Sequence, residues 1–92
     1  MARVIKNGEL VSIGNTTDTE LEIADSSVYL KLYTTAFIEV VSGTIQFSSG
    51  ESINSSHRQW PAGSKFPMSY INGSANLHVK QGSSGDSFVI TI

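Results

Sequence analysis

The chain has 92 residues and a mass of 9.9 kDa, room for one small domain and not for two. Only 15% of the residues are charged, the formal net charge is −2 and the pI lies near 5.5. That balance lacks the dense cations that nucleic-acid backbones require. Cysteine is absent, which excludes disulfide scaffolds and thiolate metal sites, and no apolar run approaches the roughly 20 residues of a membrane helix.

Val, Ile, Leu and Phe number 7, 9, 5 and 4, or 25 of 92. This share exceeds the roughly 20% below which chains tend to stay disordered, so the chain is expected to fold. A domain of this size buries only about 65% of its unfolded surface. With no disulfide to staple it, assembly with other subunits is the remaining common support. Ser and Thr number 15 and 7, so the surface is expected to be polar without being charged.

Met1-Ala2-Arg3-Val4 runs directly into a polar turn at Asn7-Gly8 with no secretory pattern. Turn signals then recur at Gly14-Asn15, Asp25-Ser26-Ser27, Ser42-Gly43, Ser49-Gly50, Pro61-Ala62-Gly63, Asn72-Gly73 and Gly82 to Gly85. The runs between them are rich in β-branched and aromatic residues and several alternate with period two. Leu21 and Ile23 alternate with Glu20 and Glu22; Val28, Leu30 and Leu32 with Tyr29, Lys31 and Tyr33. Ala75, Leu77 and Val79 alternate with Asn76, His78 and Lys80, and Phe88, Ile90 and Ile92 with Val89 and Thr91. Strands are predicted over 3–6, 9–13, 19–23, 28–33, 36–41, 44–48, 65–71, 75–80 and 86–92. No window carries a capped 3.6-residue stripe.

Eight or nine short strands at regular spacing predict an all-β fold, a single antiparallel β-sandwich or jelly roll over residues 1–92. Ser42-Gly43, Asn72-Gly73 and Gly82 to Gly85 read as hairpin turns. The apolar C-terminus at Ile92 places the last strand centrally or under cover. Residues 48–64 form the one long loop, and loops of that length are commonly functional.

His57, Arg58 and Trp60 lie together in that loop, and Trp and Arg are the residues that anchor interfaces. Two readings stand open for Trp60: a partner contact, or a cap over the open end of the sandwich. Residues 1–8, with Arg3, Val4 and Ile5, form a candidate docking arm that would add a strand to a neighbour's sheet edge. Asp18, Glu20, Glu22 and Asp25 read as a solvated acidic edge that discourages edge pairing. His78 reads as a solvated residue on the outward face of its strand. No nucleophile elbow, phosphate loop or metal-binding helix motif is present, so no catalytic residue, metal or cofactor is expected.

Phe37 to Phe47, FIEVVSGTIQF, resembles the strand–Gly–strand hairpin of cupin barrels, and Pro61-Ala62-Gly63 resembles the later turn of that family. The metal-binding H-x-H that would follow the hairpin is missing here. The resemblance therefore implies a jelly-roll shape without the metal chemistry. The short cysteine-free chain with Ser/Thr/Gly-rich turns also resembles small phage virion proteins of the capsid-decoration and head-fibre kind.

These observations lead to the expectation of a non-enzymatic structural subunit of a virion, a homo-oligomer such as a trimer docking on capsid or fibre proteins. Neither nucleic acid nor membrane is an expected partner. The alternative is a carbohydrate-binding module, cytoplasmic or extracellular, with Trp60, Tyr29, Tyr33 and Tyr70 as sugar-stacking residues.

Overall fold

The computed structural model describes residues 3–23, 33–71 and 77–92. Among these residues nine strands form and no helix does, so none is long and apolar enough to cross a membrane. The strands are β1 (Arg3–Ile5), β2 (Leu10–Val11), β3 (Thr19–Ile23), β4 (Tyr33–Ser42), β5 (Thr44–Ser49), β6 (Gln59–Pro61), β7 (Lys65–Ile71), β8 (Leu77–Gln81) and β9 (Ser87–Thr91). The predicted strand 28–33 lies outside the described residues except for Tyr33, which opens β4.

Two sheets result, ordered β1-β3-β8-β5-β6 and β2-β9-β4-β7. Their antiparallel pairs nest: β5 with β6, β4 with β7, β3 with β8, and β2 with β9. Two further pairs, β4 with β9 and β5 with β8, stitch the nest into two layers. This is the winding of a jelly roll, built by β2 to β9. β1 stands outside the nest and pairs parallel to β3, with Arg3 opposite Leu21 and Ile5 opposite Ile23.

Alternation decides which side chains enter the space between the layers. Leu21, Ile23, Ile45, Phe47, Leu77 and Val79 come from the five-stranded sheet, and Ala36, Ile38, Val40, Phe88 and Ile90 from the four-stranded one. Phe47 links the layers, packing edge-to-face on Phe88 at 5.4 Å and on Phe66 at 5.7 Å between ring centroids, the geometry that aromatic quadrupoles favour.

All three turns read as hairpins join strands of different sheets instead, though Asn72-Gly73 itself lies outside the described residues. β4 and β5 belong to different sheets, so Ser42-Gly43 carries the chain from one layer to the other. Residues 82–86 do the same between β8 and β9, and β7 and β8, which flank Asn72-Gly73, also lie in different sheets. A single extra residue, Val41, bulges β4 just before the first corner, between the pairs Val40–Phe88 and Ser42–Ser87. Such a bulge adds the twist a strand needs to leave its sheet. Gly43 then turns with φ +78°, a conformation L side chains rarely adopt.

The second corner is held by Asp86, which is buried and accepts hydrogen bonds from the Ser83 hydroxyl (2.7 Å), the Ser83 N–H (3.0 Å) and the Thr44 N–H (3.2 Å). Gln81, equally buried, receives the Ile13 N–H at 2.8 Å and donates to the Ser83 carbonyl at 3.1 Å. Both corners thus satisfy their buried polar groups internally.

Candidate functional site

The outer faces of the two sheets differ in kind. On the four-stranded sheet the residues pointing away from the core include Leu10 on β2, Val89 and Thr91 on β9, Thr35, Phe37, Glu39 and Val41 on β4, and Lys65, Pro67 and Ser69 on β7. Leu10 is 61% exposed, Phe37 58% and Val41 44%. Strand register joins them into rows: Leu10, Val89, Glu39 and Lys65 run across all four strands, and Thr91, Phe37 and Pro67 form the next row. Clustering of apolar residues on one open face, as distinct from single exposed side chains, marks an interaction surface. Between Phe37, Glu39, Lys65, Val89 and Thr91 lies a shallow hollow of about 160 Å³, smaller than the roughly 300 Å³ at which small-molecule sites begin.

The β7 edge of this sheet is blunted. The Val40 N–H bonds the Ser64 carbonyl at 2.9 Å, which sets the parity of the β4–β7 ladder. Odd-numbered residues of β7 therefore turn their backbone groups to the open edge. Pro67 stands in the middle of that edge with no N–H to offer, which disfavours strand addition. The face, not the edge, is what this sheet presents.

Apart from the exposed Val4 of β1, the outer face of the five-stranded sheet is polar and partly roofed by the β5–β6 loop. Asp18 Oδ2 accepts the Ile53 N–H of that loop at 2.7 Å, and Asp18 Oδ1 pairs with His78 Nδ1 at 2.8 Å. Burial alone would push the Asp18 carboxyl up, but the hydrogen bonds from Ile53 and His78 outweigh it and hold the group below the usual range. His78, expected in solvent, is 8% exposed beneath this arrangement, with Glu20 Oε1 3.9 Å from its other ring nitrogen. The alternation was read correctly; the cover comes from a segment distant in sequence. Nor does the acidic set form an edge, since β3 lies between β1 and β8. Asp25 lies outside the described residues.

The loop read as 48–64 is shorter in the structure, since β5 runs to Ser49 and Gln59–Pro61 forms β6, leaving 50–58 as the connection. His57 organises it from within. Its Nδ1 accepts the Asn54 N–H at 3.0 Å and its Nε2 faces Glu51 Oε1 at 3.2 Å. A ring nitrogen that accepts from N–H carries no proton, so this histidine is the Nε2–H tautomer and donates to Glu51. Gln46 closes the loop by donating to the Asn54 and His57 carbonyls.

Trp60 is half-buried and stacks on Phe66, with centroids 3.8 Å apart and planes 14° from parallel. The Arg58 guanidinium carbon lies 4.3 Å from the indole centroid. Because Phe66 fills one face, the guanidinium takes the other. The stack extends the Phe88–Phe47–Phe66 ladder to the surface and covers the open side of the sandwich between edge strands β6 and β7, not one of its ends. Ile5, assigned to the docking arm, is 2% exposed and belongs to this chain's own core, while Arg3 and Val4 are exposed. Tyr29 and the side chains of Tyr33 and Tyr70 lie outside the described residues.

Among the described residues no three of His, Cys, Asp and Glu gather to hold a metal ion. No family model, no curated protein and no solved structure matches the chain. The site must therefore be read from geometry. Sequence reasoning missed Leu10, Phe37, Val41 and Val89. The available signal was the doubled parity of Ala36-Phe37-Ile38, Val40-Val41 and Phe88-Val89-Ile90, in which apolar residues occupy both faces of a strand, as in sheets covered on both sides.

Proposed function

We propose that this chain is a non-enzymatic structural subunit that works through contacts with other protein subunits, further copies of itself first among them. The observation that carries the reading is the open apolar face made by Leu10, Phe37, Val41 and Val89 on the four-stranded sheet. A capsid-decoration or fibre-like role in a virion is the setting that its size, low charge and jelly-roll winding support. The sugar-binding alternative draws nothing from Trp60, whose two faces are taken by Phe66 and Arg58.

Light scattering over a range of concentrations tests the reading. The native chain should exceed the monomer mass of 9.9 kDa, and the Leu10→Ser/Phe37→Ser double variant should return to that mass with its β-sheet spectrum intact. A monomeric native chain that binds members of a glycan array would overturn it.

A further inference from the structure

We infer that two copies of this chain pair face to face across β4 and β7, about a two-fold axis running along the strands between them. The inference rests on the structural-subunit reading and adds the partner and the geometry.

The register of β4 and β7 makes this face complementary to itself. Three outward-facing pairs stand side by side on these two strands: Thr35 with Ser69, Phe37 with Pro67, and Glu39 with Lys65. All six side chains are exposed. A two-fold axis between the strands exchanges the members of every pair, so that β4 of one copy lies over β7 of the other. Polar Thr35 then meets the second copy's Ser69, apolar Phe37 meets its Pro67, and Glu39 meets its Lys65. Each row is complementary to itself under the one operation that an isologous dimer uses.

The charges strengthen the case. Among the described residues neither Glu39 nor Lys65 makes an ion pair within the chain, so both are available to a partner. Two such cross pairs would set the register of the dimer and disfavour shifted alignments. Pro67 also blocks the competing mode, edge-to-edge pairing through β7. Sheets stacked face to face keep their strands within about 30° of one another, as this axis requires.

Charge reversal tests the pairing. The E39K chain presents two lysines on this row and the K65E chain presents two glutamates. Each alone should self-associate at least about tenfold more weakly than the native chain in low salt, because both cross pairs become repulsive. An equimolar mixture of the two should recover association as a heterodimer, since every cross contact is again between opposite charges. Neither a loss of folding nor a change in total charge produces that recovery. Phe37→Ser should weaken association with Glu39 and Lys65 left native.

A native oligomer indifferent to E39K, K65E and their mixture would overturn this pairing and leave the structural reading standing. A native chain that stays monomeric at every concentration also overturns the pairing, and a glycan ligand found for that monomer would remove the structural reading with it.

Discussion

The Asp86 carboxylate occupies the space into which a Cβ on Gly43 would project. The two residues belong to different corners of the jelly roll, one between β4 and β5 and the other between β8 and β9. Their contact locks the corners together where the chain twice changes sheets. Gly43 is therefore required twice over, by its positive φ and by its neighbour.

Gly43→Ala should accordingly cost about 2–4 kcal/mol, combining backbone strain with displacement of Asp86 from its donors. Asp86→Ala should also destabilise, by leaving the Ser83 and Thr44 N–H groups without their acceptor. Because the alanine at 86 makes room for a Cβ at 43, the double variant should be more stable than the sum of the two losses allows. Urea titration of the four chains measures this coupling.

Acid should weaken the fold through the same corner. Hydrogen bonds from the Ser83 hydroxyl and N–H and from Thr44 hold the Asp86 carboxyl below its ordinary range, against the opposing effect of burial. Asp18 is lowered as well, where the Ile53 and His78 bonds outweigh desolvation. A carboxyl with a lower pKa folded than unfolded stabilises the protein above its unfolded value, roughly 3.9 for Asp. That contribution is lost as pH falls from there through the folded value. Stability measured at falling pH should drop below about pH 4, with a shallower drop in Asp86→Asn.

Much of this architecture was legible in the residues, and the failures share a cause. Period-two alternation in the predicted strands 19–23, 75–80 and 86–92 assigned Leu21, Leu77, Val79, Phe88 and Ile90 to the core correctly. Gly43 announced a turn but could not say whether the next strand returns to the same sheet, because a corner and a hairpin both need its positive φ. β6 escaped because Gln59-Trp60-Pro61 is three residues long and ends in proline; only pairing with Ile45 and Gln46 makes it a strand. His78 looked solvated because its cover, Asp18, lies 60 residues away in sequence. Local pattern specifies faces, while the neighbours that cover a face are non-local.

The Trp60 stack makes the sole tryptophan a reporter of the sandwich side between β6 and β7. Trp60→Ala should cost about 2 kcal/mol, less than a fully buried tryptophan because the ring is half-exposed. Phe66→Ala should red-shift the Trp60 emission by admitting water to the face it now covers, whereas Arg58→Ala should leave stability within about 1 kcal/mol of native. Fluorescence and thermal melts separate these outcomes.

His57 should hold the β5–β6 loop through its bare Nδ1. Nitrogen NMR at neutral pH is expected to show Nε2 protonated and Nδ1 free. His57→Phe keeps a ring but leaves the Asn54 N–H without an acceptor, so amide exchange should rise across 50–58 and not in β8. Equal protection in both chains would assign the loop's order to Gln46 and Asp18 instead.

The nested winding also dictates when the protein can finish folding. β5 and β6 are close in sequence and can pair early, and each enclosing pair must wait for strands further out along the chain. β9, the last of the nine strands in chain order, lies between β2 and β4. Until it is released from the ribosome, the four-stranded sheet is missing an inner strand and β2 has nothing to pair with. Closure thus pairs Leu10 with Val89 and Val11 with Phe88, the kind of long-range pairing that slows folding. A chain truncated before Ser87 would lose Phe88 and Ile90 from the core and leave β4 unpaired on that side, so premature termination leaves no smaller jelly roll behind.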